Sequence, residues 1–541
     1  MTSLVDLLRQ RAERDADSLA IRFYAADGWQ SWTWGEFWQA ARRVAGGLRD
    51  AGLRPGQNVL AMVPHSRPAV ATLFGIWTAG GIPIQIGRPF RLDDIAGLNA
   101  HFREVADRFD AKLAVIGRDL AAHVEMAATP PVVIAEDLSE AAAATVPETT
   151  RTDLIQLTSG SVATPRGVII PNDRLIAHLA AISRALPPGD DAVGVSWLPL
   201  HHDMGLIGGL LYPYYNGFVV NLMSPLDFRR NPYLWLRSVS AFRATHTVGP
   251  PSAYALIDRF ARRAASDQLD FGDLRCAMVG AEPIAPNVLH RVATGFEQCG
   301  FRASAFLPVY GLAEATVGAT FAAPAQPPRV DRVSAVALTR QGRAAKSNAE
   351  DALVFTSVGR PIPGVELRID DGAGGEVEER VVGPIMVRTA SGMTGYYDDP
   401  EATEEAFDGD WLRTGDLGYV ADGDLYVTGR QKELIIRAGR NLVPSVVEQI
   451  AADVDGVRPG GVAAVGIRNE QRSTEHAVLV AETRLKSDRR PELAERIQSA
   501  LKHRGMDVDQ IRFVDPHTLP KTSSGKLRRR AIARSLEVGE L

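Results

Sequence analysis

Hydrophobic positions in the N-terminal part of the chain fall into alternating helical and strand patterns. The longer stretches repeat apolar residues at helical spacing, whereas the shorter ones are continuous apolar runs. The predicted elements are, in chain order, a helix over Leu4–Arg14, a strand at Ala20–Phe23, a helix over Trp34–Ala51, a strand at Val59–Val63, a helix over Pro68–Gly80 and a strand at Ile82–Ile86. Strands that alternate with helices predict an α/β fold with mainly parallel sheets.

The pattern changes after Asp416, where glycine-rich turns separate short apolar runs. We predict a boundary after Arg430, which gives a large N-terminal domain over residues 1–430 and a small C-terminal lid over residues 431–541. The helix and strand pattern from Val443 onward predicts an α+β fold for the lid. Upstream, Gln326–Ala352 is rich in Pro, Ala and charge and has weak periodicity, which predicts a surface loop.

The composition is that of a globular chain with more than one hydrophobic core. The 541 residues are 45% hydrophobic and 23% charged, and a chain of this length usually divides into domains. The net charge of −5 gives no general attraction for nucleic acid or an anionic membrane. No apolar run could span a bilayer and no signal core begins the chain, so we expect a cytoplasmic protein. Cys276 and Cys299 lack metal-ligand spacing, and we expect buried, inert thiols.

A turn rich in hydroxyl groups and glycine follows the apolar run Leu154–Leu157. Its candidate phosphate ligands are Thr158, Ser159, Gly160, Ser161 and Arg166. Hydroxyl and backbone N–H groups can surround phosphate oxygens, because glycine lets the backbone approach closely. Arg166 can offer a fixed positive charge to the same oxygens. The alternative is an ordinary Ser/Gly-rich surface turn, and the Lys-Ser/Thr ending of a Walker loop is missing.

Three further motifs point to chemistry only in combination. Tyr310 and Glu314 share one tight turn, so the ring can stack on a base and the carboxylate can hold Mg²⁺. In a glycine turn at a strand end, Asp416 can accept hydrogen bonds from two ribose hydroxyls. Lys526, near the C-terminus, can be a mobile cation that reaches a site on another domain. The ordinary alternatives are a core aromatic beside a solvated Glu, a Gly-Asp turn and a basic tail.

In this order, the motifs resemble those of the adenylate-forming superfamily, which contains acyl-CoA synthetases, nonribosomal peptide adenylation domains and luciferases. The resemblance covers nearly the whole chain. Its landmarks are the turn at Thr158, Tyr310–Glu314, Gly395-Tyr396-Tyr397, Thr414-Gly415-Asp416, Gly429–Lys432 and Lys526. It implies a large N-terminal domain of two α/β lobes plus a β-rich subdomain, followed by a small mobile α+β domain.

Within the superfamily, the chain looks most like the fatty acyl-AMP ligases. Trp197–Ile207 is similar to the Leu-Pro-x-x-His-Asp-Met-Gly signature of that branch, and Gly439-Arg440-Asn441 resembles its Gly-Arg-Asn turn. Gln326–Ala352 lies where the branch carries an extra stretch that is associated with hindering the domain motion needed for CoA. The implied reaction converts a fatty or related carboxylic acid and ATP into acyl-AMP and pyrophosphate. The acyl group then passes to the phosphopantetheine thiol of an acyl carrier protein.

The resemblance also implies a role for each matching residue. The triphosphate would lie at Thr158, Ser159, Gly160, Ser161 and Arg166, with Mg²⁺ held by Glu314. The nucleoside would be bound by Gly280, Ala281, Glu282, Pro283, Tyr310 and Gly311 at the adenine and by Asp416 and Arg430 at the ribose. Lys526 would bridge the substrate carboxylate and the α-phosphate, and Lys432 would be the hinge of the small domain.

The acyl group is expected in apolar, glycine-rich stretches that suit a hydrocarbon chain. These stretches contain Met204, Gly205, Gly249, Pro250 and Ser252. His202 matches the family's aromatic residue or histidine beside the reacting carboxylate; the alternative is a structural histidine packed under Trp197. Arg528-Arg529-Arg530 is either a docking site for an acidic carrier protein or a solvated helix start. We expect neither a nucleic acid partner nor stable insertion in a membrane.

Two residues depart from the family pattern. Val162 stands where relatives usually have Thr, which removes a hydroxyl from the phosphate turn, and Arg166 replaces Lys, which changes the geometry of the charge. Two alternative functions therefore stay open. An acyl-CoA ligase would share the adenylation residues and use free CoA as acceptor, and Val162 suggests a catalytically weak acyl-nucleotide binding protein. A Rossmann oxidoreductase is disfavoured, because no Gly-x-Gly-x-x-Gly follows a strand.

Overall fold

The computed structural model describes residues 3–87, 95–124, 130–146, 150–158, 165–437, 440–458, 460–469, 474–521 and 527–541. The α-helices are α1 (Leu4–Arg14), α2 (Trp34–Asp50), α3 (Arg67–Ala79), α4 (Ile95–Arg108), α5 (Ala135–Leu138), α6 (Asn172–Ala185), α7 (Tyr212–Asn216), α8 (Pro225–Arg230), α9 (Tyr233–Ala241), α10 (Pro251–Ile257), α11 (Ala261–Ser266), α12 (Pro286–Gly295), α13 (Ala335–Gln341), α14 (Pro400–Ala406), α15 (Pro444–Ala452), α16 (Arg490–His503) and α17 (Arg529–Glu537).

The strands are β1 (Leu19–Ala25), β2 (Gly28–Thr33), β3 (Asn58–Met62), β4 (Ile82–Gln85), β5 (Ala111–Ile116), β6 (Val132–Ile134), β7 (Leu154–Leu157), β8 (Gly167–Ile170), β9 (Val193–Ser196), β10 (Val219–Leu222), β11 (His246–Gly249), β12 (Cys276–Val279), β13 (Phe306–Tyr310), β14 (Thr320–Phe321), β15 (Val330–Val333), β16 (Leu353–Thr356), β17 (Arg360–Pro361), β18 (Val365–Ile369), β19 (Gly383–Thr389), β20 (Gly395–Tyr396), β21 (Phe407–Asp408), β22 (Trp411–Ala421), β23 (Asp424–Arg430), β24 (Ile435–Arg437), β25 (Arg440–Leu442), β26 (Val462–Asn469), β27 (Thr474–Glu482) and β28 (Gln510–Val514).

Local side-chain hydrogen bonds explain where the first two helices begin. The Ser3 hydroxyl accepts a hydrogen bond from the backbone N–H of Asp6, and the Asp6 carboxylate accepts one from the backbone N–H of Ser3. Thr33 and Glu36 form the same reciprocal pair at the start of α2. Each pair satisfies helix-end N–H groups that would otherwise lack partners. The helix predicted over Leu4–Arg14 is confirmed, and the one predicted from Trp34 is confirmed and ends at Asp50.

Two mainly parallel sheets form the larger part of the molecule. Among the described residues, one has the strand order β17-β14-β13-β12-β11-β9-β10-β1-β2, and its six strands from β13 to β1 run parallel. The other has the order β20-β8-β7-β4-β3-β5-β6, with β8 antiparallel to both of its neighbours. All four residues of β12 are buried, as expected for a strand with both faces covered. The predicted α/β fold is confirmed.

A smaller antiparallel sheet and the C-terminal elements complete the fold. In that sheet, the order is β18-β19-β22-β21, and β23 pairs with the other part of β22. Asp416 was predicted at a strand end, but it lies inside the long strand β22, because Gly415, with φ of +74°, lets the strand continue through the turn-like sequence. The order β26-β27-β28, with α15, α16 and α17, gives the C-terminal part the α+β character expected from its sequence.

The segment Gln326–Ala352 is not an irregular loop. It contains β15 and α13, which are too short to produce a clear period in the sequence. The buried carboxylate of Asp331 accepts hydrogen bonds from Tyr419, at 2.9 Å, and from Arg380, at 3.0 Å. These bonds fix β15 to the small antiparallel sheet, and α13 contacts β25 of the C-terminal part.

One hydrophobic core extends across the predicted domain boundary. It joins Leu353 and Tyr419, which precede the boundary, to Val447 and Leu479, which follow it. The boundary after Arg430 therefore stays a prediction. Cys276 and Cys299 are both buried, as expected, and burial raises the pKa of the Cys276 thiol to about 12. None of the helices in the described ranges is both long and apolar enough to cross a membrane.

His178 is a buried histidine whose hydrogen bonds require the neutral ring. Its Nε2 accepts a hydrogen bond from the backbone N–H of Gly318 at 3.2 Å, so its Nδ1 carries the proton that faces Ser391 Oγ at 3.1 Å. Burial lowers the pKa of His178 to about 3. A second proton on this ring would break the bond to Gly318 and place a charge in the core.

We therefore predict that His178 makes folding pH-dependent. Between pH 3 and 6.5 the unfolded chain binds a proton that the folded chain excludes, so the contribution of His178 is fully present above pH 6.5 and falls as the pH falls. Urea unfolding measures the free energy of unfolding of wild type and of His178→Gln. The difference between these two free energies should decrease by about 2 kcal/mol from pH 7 to pH 5. His503→Gln, which removes an exposed imidazole at the end of α16, is the control, and an unchanged gap for His178→Gln would contradict the prediction.

Candidate active site

A cavity of about 1690 Å³ brings together side chains from both large sheets, the antiparallel sheet and the C-terminal part. The residues predicted from the sequence that line it are Thr158, Arg166, His202, Met204, Ser252, Ala281, Glu282, Pro283, Tyr310, Gly311, Glu314, Asp416, Arg430 and Lys432. Ser159, Gly160, Ser161 and Lys526 lie outside the described residues.

Four predicted residues, Gly205, Gly249, Pro250 and Gly280, are not part of this lining and pack behind it. A Cβ at Gly205 would lie 2.2 Å from the carbonyl oxygen of Pro199, and one at Gly280 would lie 2.7 Å from Val309. At Gly249, the same atom would lie 3.0 Å from the ring of Trp235. Pro250 precedes the first residue of α10. These glycines let neighbouring backbone and side-chain atoms approach closely, so they shape the wall of the cavity rather than its surface.

The predicted phosphate turn is closed by its own backbone. β7 and β8 are antiparallel neighbours, with Leu157 opposite Gly167, and the N–H of Thr158 donates to the carbonyl of Arg166 at 2.9 Å. The two ends of the turn are therefore held together, and Thr158 and Arg166 both face the cavity. The guanidinium of Arg166 lies 5.2 Å from the centre of the Tyr396 ring, which restricts the direction of its charge.

Tyr310, Asp416 and Arg430 form one hydrogen-bonded chain. The Tyr310 hydroxyl donates to Asp416 Oδ2 at 2.8 Å, and Arg430 Nε donates to Asp416 Oδ1 at 3.0 Å. Asp416 is 7% exposed, so its charge is compensated mainly by Arg430. The Asp416 carboxylate in turn raises the pKa of Arg430, and burial together with Asp416 raises that of Tyr310. Each carboxylate oxygen keeps a free lone pair, which is what recognition of adjacent hydroxyl groups requires.

Glu314 lies in a short 3₁₀ turn, Ala313–Ala315, in the cavity wall. Its Oε1 accepts a hydrogen bond from the Tyr396 hydroxyl at 2.8 Å, and its backbone carbonyl accepts one from the N–H of Met393 at 2.9 Å. Burial raises the pKa of the Glu314 carboxyl, and Asp203 adds to this effect as a nearby like charge. A cation close to this carboxyl group would favour its charged form.

His202 and Asp203 form a pair at the start of an unusual helix. His202 Nδ1 lies 2.7 Å from Asp203 Oδ1, which also accepts a hydrogen bond from the N–H of Met204. The contact of Nδ1 with Asp203 fixes the orientation of the ring, so Nε2 points away from Asp203. Met204–Leu211 forms a π-helix, a conformation common at functional sites. Gln156, next to the phosphate turn, donates to the carbonyl of His201 at 2.9 Å and ties this segment to the turn.

The cavity becomes apolar beyond His202 and Met204. Ile182, Gly208, Tyr212 and Met278 line this end. The nearest atom to a Cβ placed at Gly208 would be Met278 Sδ, at 4.0 Å, so Gly208 leaves open space in front of Met278. Behind these residues lies a second cavity of about 20 Å³, which also contacts Gly208, Tyr212 and Met278. Met278 and Tyr212 therefore separate the end of the main cavity from a small space beyond it.

Ion pairs fix the chain on both sides of Lys432. Before it, Arg430 binds Asp416 in β22. After it, Glu433 binds Arg529, whose guanidinium also binds Glu448 at 2.7 Å. Arg529 is therefore engaged within the C-terminal part and is neither solvated nor available for docking, whereas Arg528 and Arg530 are exposed and both alternatives stay open for them.

Several side chains of the site could not be identified from sequence reasoning. Tyr396 was recognised as part of a landmark, but its bond to Glu314 joins positions far apart in the chain. Met278 carries no polar signal. Asp203 stands beside His202 in the quoted motif, and its acidity next to a histidine was the one available signal. Lys521 lines the cavity and donates to the carbonyl of Gly460 at 2.8 Å, and its position in a basic tail gave no indication of this.

Comparisons with known proteins agree with this architecture. Residues 8–397 match the family described as AMP-binding enzyme. The medium-chain-fatty-acid–[acyl-carrier-protein] ligase JamA of Moorena producens is 30% identical over 568 residues, which cover 98% of this chain and 94% of that protein.

Two solved structures resemble the whole fold. One, from a study of fatty acyl-adenylate ligases from E. coli and L. pneumophila, has a TM-score of 0.90 at 30% identity and covers 100% of this chain and 98% of that chain. The fatty acyl-adenylate ligase from L. pneumophila in complex with acyl adenylate and pyrophosphate has a TM-score of 0.76 at 27% identity. The match covers 99% of this chain and 96% of that chain. The resemblance to adenylate-forming enzymes is confirmed, and this chain belongs to the family of AMP-binding enzymes.

Proposed function

We propose that this protein joins a fatty acid to AMP, releases pyrophosphate and transfers the acyl group to the phosphopantetheine thiol of an acyl carrier protein. The observation that carries the proposal is the polarity of one continuous cavity. Its polar end contains Arg166, Glu314 and Asp416, and its other end is the apolar pocket at Met278. A molecule with a nucleotide at one end and a hydrocarbon chain at the other matches this distribution. The names of JamA and of the two solved structures support the same substrates.

In the first step, a carboxylate oxygen would form a bond to the α-phosphorus of ATP, while the bond from that phosphorus to the pyrophosphate oxygen breaks. Both reactants are anions, so the main barrier is electrostatic and fixed cations lower it. Arg166 would neutralise phosphate oxygens next to the closed turn at Thr158. Asp416 would bind the ribose hydroxyls, with Tyr310 and Arg430 holding the carboxylate in place. Lys526, which lies outside the described residues, would bridge the carboxylate and the α-phosphate.

The donor set also fits Mg²⁺. Among the described residues, no group of three or more His, Cys, Asp or Glu side chains is arranged to hold a metal ion. Mg²⁺ is commonly bound by one or two carboxylates plus substrate phosphates and water, and Glu314 supplies one such carboxylate in the cavity wall. Glu314 would hold it, because burial without a cation disfavours the charged carboxylate. When bound, Mg²⁺ would neutralise phosphate charge.

His202 would orient the substrate carboxylate where the polar and apolar ends of the cavity meet. The bond to Asp203 fixes the ring, so the second ring nitrogen is presented in one direction. In the second step, the thiol sulfur would attack the acyl carbon, and the bond to AMP would break. The C-terminal part would rotate about Lys432, because Arg430 is held on one side of it and Glu433 on the other.

Two alternative functions make different predictions. A CoA ligase would share the adenylation site and differ only in the thiol acceptor, and the Gln326–Ala352 segment, whose α13 contacts β25 of the C-terminal part, is the feature that would discriminate between the two. A catalytically weak acyl-nucleotide binding protein is suggested by Val162, and it would bind ATP without turnover. Mg²⁺, the fatty acid, the carrier protein and a cytoplasmic location stay parts of the proposal.

The acceptor is tested by offering ATP, a panel of fatty acids and either CoA or a holo acyl carrier protein. We expect ATP–pyrophosphate exchange that depends on the fatty acid, and mass spectrometry should find the acyl group on the carrier protein. Acylated CoA would favour the ligase alternative, and binding of ATP without exchange would favour the weakly catalytic protein. Apo carrier protein, which lacks the thiol, is the control.

Lys526→Ala should separate chemistry from nucleotide binding. We expect ATP–pyrophosphate exchange to fall by about 100-fold or more, because a positioned charge that acts on the developing negative charge is lost. The dissociation constant for ATP, measured by calorimetry, should change much less. Lys502→Ala, an exposed lysine of α16, is the control. Equal losses in exchange and in ATP affinity would show that Lys526 is only a binding residue.

The apolar end predicts the length of the acyl chain that is accepted. Met278→Ala should join the main cavity to the space of about 20 Å³ behind it and move the preference toward longer acids. Each added methylene that becomes buried should improve kcat/KM by about fourfold, because burial of one CH₂ contributes roughly 0.8 kcal/mol of binding free energy. Gly208→Val narrows the facing wall and should move the preference toward shorter acids.

A series of straight-chain acids in the exchange assay measures both shifts. Met386→Ala, the same truncation in the buried strand β19, controls for a general loss of stability. An unchanged order of preference in Met278→Ala and Gly208→Val would place the end of the acyl chain elsewhere.

A further inference from the structure

Tyr396 contacts two groups that the proposed function assigns to the triphosphate. Its hydroxyl donates to Glu314 Oε1 at 2.8 Å, and its ring centre lies 5.2 Å from the guanidinium carbon of Arg166. Tyr396 is 9% exposed, so few other positions are open to its ring. One side chain therefore lies between a predicted metal ligand and a predicted phosphate ligand.

The backbone around Tyr396 is joined to both of these groups. β20 is antiparallel to β8, with Tyr396 opposite Val168, and the N–H of Tyr397 donates to the carbonyl of Gly167 at 2.8 Å. Arg166 immediately precedes this strand. On the other side, the N–H of Met393 donates to the carbonyl of Glu314. The segment is thus bonded to the strand after the phosphate turn and to the turn that contains Glu314.

We propose that Tyr396 is a positioning residue that fixes Glu314 and Arg166 relative to each other, so that a nucleoside triphosphate and its divalent cation meet both groups together. This inference rests on the proposed function of the cavity. The hydroxyl holds one oxygen of the carboxylate and so fixes the direction in which the carboxylate faces a cation. The ring holds the guanidinium at the edge of the phosphate turn, where it can reach phosphate oxygens.

The contact also gives a physical reason for arginine at position 166. A planar guanidinium can lie over an aromatic ring while it presents N–H groups at its edge, whereas a lysine ammonium is a compact point charge on a flexible stem. Asp399 Oδ2 lies 3.9 Å from Arg166 Nε and further limits the orientation of the guanidinium. Arg166→Lys would therefore keep the charge and lose the fixed direction.

Binding of ATP, measured by calorimetry with Mg²⁺ and again with EDTA, tests the hydroxyl. With Mg²⁺, Tyr396→Phe should bind ATP about tenfold more weakly than wild type, the size expected for a lost hydrogen bond to a charged group. With EDTA, the change should be less than about twofold, because the carboxylate then has no cation to hold. Tyr397→Phe removes the neighbouring hydroxyl from the same segment and should match wild type in both conditions.

A double-mutant comparison tests the contact between the Tyr396 ring and the Arg166 guanidinium. Arg166→Lys should weaken ATP binding in wild type and have a smaller effect in a Tyr396→Leu background, because the stacking partner is already absent. Arg166 is partly exposed, so Arg166→Lys should fold even if Tyr396→Leu does not. In that event, weaker binding of ATP by Arg166→Lys in the presence of Mg²⁺, with an unchanged thermal midpoint, supports the inference, and unchanged binding overturns it.

The outcomes separate the inference from the proposed function. If wild type does not bind ATP under either condition, the proposed function fails and the inference fails with it. If wild type binds ATP and Tyr396→Phe loses the same factor with Mg²⁺ and with EDTA, or behaves like Tyr397→Phe, the inference alone is overturned.

Discussion

The carboxylate of Asp416 joins the parts of the molecule that must act together. It binds Tyr310 at the end of β13 in the larger parallel sheet, and Arg430 at the end of β23 in the antiparallel sheet. A charge that is 7% exposed needs such partners, because burial without them would be strongly unfavourable. The same bonds place this carboxylate at the cavity, and its partner Arg430 stands two residues before the predicted hinge at Lys432. The position of the proposed ribose site and the start of the C-terminal part therefore depend on one buried charge.

Around this carboxylate, the fold places the charged side chains at one end of the cavity and the apolar side chains at the other. The closed turn between β7 and β8, the short turn of Glu314 and the strand β22 supply the polar end, and the π-helix with β12 supplies the apolar end. These elements come from different sheets, so no local segment contains a complete site. Close packing at Gly205, Gly249 and Gly280 brings the walls near enough to share one cavity. We infer that the order of the two ends fixes which end of a bound acid faces the nucleotide.

The sequence was sufficient where the signal is local. The helix over Leu4–Arg14 was predicted with the observed bounds, and the helix predicted from Trp34 begins at that residue, because periodicity and capping act over a few residues. It was insufficient where distant segments decide the outcome. The bond from Tyr396 to Glu314 and the engagement of Arg529 by Glu433 and Glu448 depend on tertiary packing, as does the structure of Gln326–Ala352. Most predicted site residues line the cavity, whereas Gly205, Gly249, Pro250 and Gly280 support it from behind.

A crystal structure with a non-hydrolysable acyl-sulfamate analogue of the acyl adenylate tests the central claim most directly. The account predicts that both ribose hydroxyls donate to Asp416, that the acyl chain runs past Gly208 toward Met278, and that Lys526 lies within hydrogen-bond distance of the sulfamate. An analogue bound with its ribose away from Asp416, or with its acyl chain outside the pocket at Met278, would contradict it.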